Sequence, residues 1–277
     1  MDYIGLDDFL LSALKEDVGT GDITTNCCIP AVNRSEAYFI AKEDGVICGI
    51  DIAERVFNLV DEKITIIAHL KDGDSVKSGD IIAEVFGPSR GILTGERVAL
   101  NLMQRLSGTA TATAKAVGSV AGTNAKIADT RKSTPGLRVL EKHAVRIGGG
   151  HNHRFNLSDG VLIKDNHIAA AGGIASAVTA ARAAVPHVMK IEVETETLEE
   201  VAQALEAGAD IIMLDNMSLK MMTEAVLLIN GRAITEASGN MGERNLLDVA
   251  KTGVDYISIG ALTHSVKSLD ISLKFRK

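Results

Sequence analysis

The sequence predicts an α/β protein whose C-terminal half is a parallel α/β barrel. Three observations carry the prediction. After Gly122 strand-like and helix-like runs alternate with some regularity. Charged or small polar residues recur at the ends of the strand-like runs, about 21 to 32 residues apart, the length of one strand-helix unit. The strand-like runs are continuously apolar, as strands of a sheet covered on both faces by helices must be.

Taken in order, the first segment, with Ile4, Leu6, Phe9, Leu10 and Leu14, has the spacing of an amphipathic helix and closes at Gly19. An irregular stretch opens at GDITT. From about Ser35 to Phe86 the text becomes short β-rich runs (AYFIAKE, GVICGI, ITIIAHL, DIIAEVFG) separated by Gly and Asp. Within it, HLKDGDSVKSGDIIAEVFG is similar to the hairpins of biotinyl or lipoyl carriers, but Lys71 and Lys77 lack the flanking residues of a modified lysine, and a structural β role is expected. From Gly95 to about Gly122 a helix is expected with Val98, Leu102, Leu106 and Thr109 on one stripe. Arg97 would stand in its first turn, against the macrodipole, and so would require an anionic partner.

The barrel strands are read as AKIADT, GVLI, VMKIEV, ADIIML, RAITEA and VDYISI. Four helices lie between the later ones: IAAAGGIASAVTAARAAV, TLEEVAQALEAG, LKMMTEAVLLIN and RNLLDVAKTG. Their ends present Arg131 and Lys132, Lys164 and Asp165, Glu194, Asp215, Glu236 to Ser238, and Gly260. A barrel carries its chemistry where its strands end, so these residues define a candidate active site.

Composition narrows the ligand. The chain of 277 residues has a formal net charge of -7, yet between Thr130 and His167 there are seven Lys or Arg against three acids, and four of the seven His. A basic island on an acidic chain suits a small polyanion better than nucleic acid, which meets a broad basic face. No apolar run approaches the ~20 residues that span a bilayer, the first residues are acidic, and three cysteines offer neither a disulfide framework nor a CxxC site. The chain reads as cytosolic, without signal or transit peptide.

Lys132 and Lys164 against Glu194 and Asp215 would project from four strands into one mouth. The two carboxylates suit a hard cation such as Mg²⁺, and a ring of plain salt bridges is the alternative. EASGN (236–240) and ISIGA (257–261) end the last two strands in small residues whose backbone N–H groups can cradle phosphate. His151-Asn152-His153 lacks a third ligand at zinc spacing, so anion binding or orientation of a neighbour is expected, and Asn166 is read as a helix cap.

The chain resembles the quinolinate phosphoribosyltransferases. The matching text is DVGTGDITT (17–25), GERVALNLMQRLSGTAT (95–111), ADTRKSTPGLRVLEKHAVRIGGGHNHRFNLSDGVLIKDNH (128–167), EVE (192–194), MLDN (213–216), EASGN (236–240) and SIGALTH (258–264), which together cover nearly the whole chain. The resemblance implies an N-terminal α/β domain (open sandwich, hammerhead-like) at 1–107, joined by the tail 265–277, and an α/β barrel at 108–264. It also implies a homodimer with shared active sites, and use of phosphoribosyl pyrophosphate with Mg²⁺. By the same resemblance Thr130, Arg131, His153, Arg154 and Lys164, with Arg97 from a second copy, receive the quinolinate dicarboxylate, and Lys132 assists the pyrophosphate. Glu194 and Asp215 engage ribose hydroxyls and Mg²⁺, with Lys164, Glu194 and Asp215 as the catalytic set. Ser238, Gly239 and Asn240 with Ile259, Gly260 and Ala261 hold the 5′-phosphate. The family pattern has Gly at position 240, but backbone donors do not depend on that side chain. The competing enzyme reading is a barrel aldolase or lyase forming a Schiff base on Lys164. A carrier or binding module built on the β-rich half is the non-enzymatic one.

Overall fold

The computed structural model describes residues 4–276; residues 1–3 and 277, which the domain expectation includes, lie outside the described residues. The chain divides into two compact units, 1–112 with 266–277, and 113–265.

In the first unit α1 (Leu6–Val18) buries Leu6, Leu10 and Leu14 and stops at Gly19, whose φ of 58° suits glycine. GDITT folds into a short helix, α2 (Ile23–Cys28), because the Asp22 carboxylate accepts the Thr25 N–H at 2.9 Å. β1 (Arg34–Ala41), β3 (Thr65–Ala68), β5 (Ile81–Pro88) and the last strand of the chain, β12 (Ile271–Phe275), form an antiparallel sheet in the order β12-β1-β5-β3. β2 (Gly45–Val46) and β4 (Ser75–Val76) make a separate ladder.

Two expectations are corrected in this unit. The segment read as short β-rich runs contains α3 (Ile50–Val60), which buries Ile50, Ile52, Ala53, Val56 and Phe57 and sets Phe57 against Phe39 in a tilted pair with ring centroids 6.2 Å apart. Only Ile50 of the β-like run GVICGI belongs to this helix; the rest of it, DIAERVFNLV, lies in the interval between GVICGI and ITIIAHL. The helix starts at Gly49, where φ is 101° and a β-carbon would approach Leu106 to 3.1 Å. The long helix α4 (Ser89–Ser119) starts six residues before the expected Gly95. Arg97 therefore lies exposed in its third turn, beyond the reach of the N-terminal dipole. The expected stripe of Val98, Leu102, Leu106 and Thr109 is buried.

The second unit is built on six parallel strands: β6 (Lys126–Ala128), β7 (Val161–Ile163), β8 (Ile191–Thr195), β9 (Ile211–Asp215), β10 (Ile234–Ser238) and β11 (Tyr256–Ser258). Their order, β6-β11-β10-β9-β8-β7, joins the first strand to the last, so the sheet wraps as a barrel does. The ring is open between β6 and β7; beside β6 a single parallel bridge pairs Ala128 with His151. Helices α6 (Asp165–Ala171), α7 (Ile174–Ala184), α8 (Leu198–Glu206), α9 (Leu219–Ile229), α10 (Leu246–Ala250) and α11 (Ala261–His264) follow the strands. The expected single helix at 168–185 is two helices, α6 and α7, since Gly172 and Gly173 take φ of 79° and 132°. A helix not anticipated, α5 (Arg138–Ile147), buries Leu140, Ala144 and Val145.

Period-2 alternation sorts the strand residues. Ile191, Val193, Ile212, Leu214, Ala237 and Ile257 are buried on one face. Glu192, Glu194, Met213, Asp215, Glu236, Ser238 and Ser258 alternate with them and line the interior cavities. A barrel interior filled by branched apolar layers would be solid; acids and serines leave this one hollow.

Candidate active site

At the C-terminal ends of the strands lies a cavity of about 440 Å³. Thr130, Arg131, Lys132, His153, Arg154, Lys164, Glu194, Asp215, Ser238, Gly239 and Asn240, all expected from the sequence, line it together. Ile259, Gly260 and Ala261 are not among the lining residues; the Ile259 N–H is committed to the Ala128 carbonyl at 2.9 Å. Arg97 belongs to the other unit. Glu236, named among the strand ends, lines it too, and Leu162, Met213, Asn216 and Ser258 line the cavity without having been singled out for it.

The cationic side is held from below. Asp129 at the end of β6 and Lys142 on α5 form an ion pair with both side chains fully buried. Lys142 also donates to the His153 carbonyl at 2.8 Å, and Asp129 Oδ1 accepts the His153 N–H at 2.9 Å. The Asn152 amide, oriented by its neighbours, donates to the Lys142 carbonyl at 3.0 Å and to Asp129 Oδ2 at 2.8 Å. Burial pushes each charge of the pair toward neutrality and their mutual bond opposes this. The pair thus ties the segment bearing Arg131 to the segment bearing Arg154. Of His151-Asn152-His153, the Asn152 amide and the His153 backbone take part in this network.

The two guanidiniums have donors to spare. Nε of Arg131 and Nε of Arg154 are buried without a hydrogen-bond partner, while Arg154 Nη1 donates to the Gly160 carbonyl at 2.8 Å. Burial, and then the charge of Arg131, hold the Arg154 guanidinium below its ordinary value. Two like charges with idle donors are costly unless an anion joins them.

Across the cavity Lys164, which precedes α6, is ion-paired with Glu194. The helix is capped by His167, whose Nδ1 accepts the Lys164 N–H at 3.0 Å, and Asn166 lies inside the first turn, which corrects the reading of Asn166 as cap. The salt-bridge ring does not close: Asp215 accepts the Asn216 amide at 2.6 Å. Asn216 and Asn240 adopt φ of 53° and 51°, left-handed values that Asn and Gly tolerate, which explains why position 240 accepts either. Gly239 has φ of 92°, and a β-carbon there would meet Asn216 Oδ1 at 2.2 Å, so this turn requires glycine.

Below the cavity, His153 faces Glu192 and Glu236, with Nε2 3.0 Å from Glu192 and 3.8 Å from Glu236. Burial, and then the charge of Glu192, push the Glu236 carboxyl up to about 7. An acid held above its ordinary 4.5 costs the fold nothing while protonated; the cost grows as pH rises and is complete above about 7. Glu236→Gln is therefore expected to melt like the wild type near pH 4 and several degrees higher near pH 8, a gain on the order of 3 kcal/mol. Scanning calorimetry at the two pH values checks this, and a variant less stable at the higher pH contradicts it.

The fold and the site define a class: an α/β barrel whose strand ends oppose arginines and lysines to two carboxylates around a small polyanionic substrate. Comparison with known proteins makes it specific. The family model "Quinolinate phosphoribosyl transferase, C-terminal domain" matches residues 109–274 and the corresponding N-terminal domain matches 22–107, so the chain belongs to the quinolinate phosphoribosyltransferase family. It is 50% identical over 273 residues to a probable nicotinate-nucleotide pyrophosphorylase (carboxylating) of Bacillus subtilis (strain 168), covering 99% of this chain and 94% of that protein. It is 48% identical over 281 residues to the chloroplastic nicotinate-nucleotide pyrophosphorylase (carboxylating) of Arabidopsis thaliana, covering 95% of this chain and 80% of that one. The crystal structure of NadC from Streptococcus pyogenes superposes with a TM-score of 0.93 at 45% identity, covering all of both chains.

Proposed function

We infer that this cavity is where the chain transfers the phosphoribosyl group of phosphoribosyl pyrophosphate to quinolinate with decarboxylation. The products are nicotinate mononucleotide, pyrophosphate and CO₂, the family's step in de novo NAD biosynthesis. The observation that carries the reading is the pair of buried, unpartnered guanidinium donors on Arg131 and Arg154. Quinolinate presents two adjacent carboxylates, and such a pair matches two such forks.

In this reading Arg131, Arg154 and Lys164, with Thr130 and His153, surround the dicarboxylate, and Lys132 meets the pyrophosphate. Glu194 and Asp215 face the ribose, while Ser238, Gly239 and Asn240, with the turn at Gly260 and Ala261 that follows Ile259, hold the 5′-phosphate; the Ile259 N–H is already taken by Ala128. The pyridine nitrogen attacks C1 of the ribose, the bond from C1 to the pyrophosphate oxygen breaks, and its electron pair leaves with pyrophosphate. Glu194 and Asp215 stabilise the positive charge that develops on the sugar. The bond to the carboxylate next to the ring nitrogen then breaks. Its electron pair stays on the ring carbon beside the new N⁺, and the Lys164 ammonium delivers a proton there.

Glu194 and Asp215, two oxygen donors on neighbouring strands, are the chemistry that suits Mg²⁺ with retained waters and pyrophosphate oxygens. When bound, the ion would neutralise charge on the leaving pyrophosphate. The Lys164 side chain is engaged in an ion pair with Glu194, which weighs against a Schiff base. No helix among the described residues is long and apolar enough to cross a membrane, and the three cysteines are free; we place the chain in the cytoplasm.

Nicotinate has one carboxylate too few for this set of cations. A kcat/KM lower for nicotinate than for quinolinate by on the order of 10² is expected, because a cation left desolvated and unpaired costs the complex several kcal/mol, of which entering water restores part. Equal values for the two acids would remove the dicarboxylate from the account.

Arg97 is taken to reach the site of a second copy in an isologous homodimer. Mixed Arg97→Ala and Lys164→Ala chains should then regain about a quarter of wild-type activity, since about half of the dimers are mixed and each holds one intact site. No recovery after subunit exchange, verified by mass spectrometry, would place Arg97 outside the shared site.

A further inference from the structure

Asn216 follows Asp215 at the end of β9 and joins two parts of the cavity that the reading above keeps apart. Its Nδ2 donates to Asp215 Oδ2 at 2.6 Å, and its backbone N–H donates to the Ser238 carbonyl at 3.1 Å. The same side chain lies against Gly239, where a β-carbon would come within 2.2 Å of Asn216 Oδ1 and 2.6 Å of its Cγ. Asp215 and Ser238 are partners in the register of β9 and β10, so the two turns leave the sheet side by side.

Two plainer roles for Asn216 are filled elsewhere. An asparagine before a helix is ordinarily its cap, but α9 is capped by Ser218, whose Oγ accepts the Met221 N–H at 3.2 Å. An asparagine at positive φ can also be a turn residue and no more, as is Asn230, which closes α9 with φ of 47°. At Asn216 the left-handed backbone comes with a side chain engaged on two sides. The frame around it does not need the amide: Arg244 Nη1 donates to the Met217 carbonyl at 2.7 Å and, with the Asn216 N–H on Ser238, ties the turn after β9 to the chain after β10. What the amide governs is Asp215. A carboxylate turns about its last torsion unless a donor fixes it, and a donor on Oδ2 sets its plane while leaving Oδ1 to accept from another partner.

We propose that Asn216 is a positioning residue for the phosphoribosyl group: its amide fixes the Asp215 carboxylate that receives the ribose hydroxyls and, packed on Gly239, holds it at a set distance from the turn that takes the 5′-phosphate. The ligand class is a pentose 5-phosphate. Its hydroxyls and its phosphate are a few bonds apart, so two contacts held rigid to one another lose less entropy on binding than two that must be ordered separately. This inference rests on the function proposed above, in which Asp215 faces the ribose, and names the residue that prepares Asp215 for it.

The test is calorimetric binding of nicotinate mononucleotide, which carries the ribose and the 5′-phosphate and cannot react without pyrophosphate. Phthalate, an aromatic 1,2-dicarboxylate with no sugar, probes the cationic side. Asn216→Gly deletes the amide but keeps the backbone N–H and a residue at ease with φ of 53°. It should weaken nicotinate mononucleotide about tenfold, the order expected for one hydrogen bond to a charged group, and change phthalate by less than about twofold. In turnover, KM for phosphoribosyl pyrophosphate should rise by the same factor, with KM for quinolinate nearly unchanged. Asn216→Asp keeps the shape and tolerates the same backbone but offers Asp215 no donor, so it should bind the nucleotide no better than Asn216→Gly. Wild-type affinity in either variant, or an equal loss for nucleotide and phthalate, would overturn the proposal.

A cycle with Asp215→Ala decides whether Asn216 acts through its neighbour. If it does, adding Asn216→Gly to Asp215→Ala costs no further nucleotide affinity. A second tenfold loss would make Asn216 a direct ligand and overturn the proposal. Wild-type protein that does not bind nicotinate mononucleotide would overturn the function beneath it, whereas a wild type that binds, beside an additive cycle, overturns this inference alone.

Discussion

Lys164→Ala is expected to lower kcat by on the order of 10²–10³, the usual loss for one preorganised electrostatic contact, while the protein stays folded. The side chain is partly exposed, 44%, so its removal leaves no sizeable core cavity. What is lost is an ammonium placed where the decarboxylated ring carbon carries an electron pair. Steady-state rates with quinolinate, beside circular dichroism of the variant, check this. Near-normal turnover in a folded Lys164→Ala protein would take Lys164 out of the mechanism.

Lys142→Met should do the reverse, damaging the fold first and activity as a result. The ammonium is wholly buried, and removing it leaves Asp129 as an uncompensated charge in the interior, which costs about 3–5 kcal/mol. His153 would lose the donor to its carbonyl, and the Lys142 ammonium would vanish from its place 5.1 Å from the Phe155 ring centroid. Denaturant unfolding measures the loss. Adding Asp129→Leu to Lys142→Met should restore part of the stability, because the stranded charge goes with it, but not quinolinate affinity, because the loops carrying Arg131 and Arg154 stay untied. A single variant as stable as the wild type would show that the pair does not hold these loops.

Most of the cavity was legible because its chemistry sits at strand ends, where a period-2 pattern and a repeat of one strand-helix unit are local properties of the text. Lys132, Lys164, Glu194 and Asp215 were found that way. Glu192 was within reach by the same rule, since in EVE it shares the face of Glu194, but it lies one step deeper in the barrel than a search of strand ends extends. Lys142 was not legible. On α5 it looks like a solvated charge, and only the approach of Asp129, thirteen residues earlier, makes it a buried one. Two boundaries failed for identifiable reasons. The Gly172-Gly173 pair splits a helix that its alanines would otherwise carry through, and α3 begins in an apolar run that a strand would satisfy equally well.

The central claim is that the arginines and Lys164 at the barrel mouth hold quinolinate while its ring nitrogen takes the phosphoribosyl group and the adjacent carboxylate departs. It is tested most directly by supplying quinolinate labelled with ¹³C in that carboxylate, together with phosphoribosyl pyrophosphate and Mg²⁺, and counting labelled CO₂ against nucleotide formed. One labelled CO₂ for each nicotinate mononucleotide is the expected result; a nucleotide that keeps both carboxylates, or no nucleotide at all, would contradict the account.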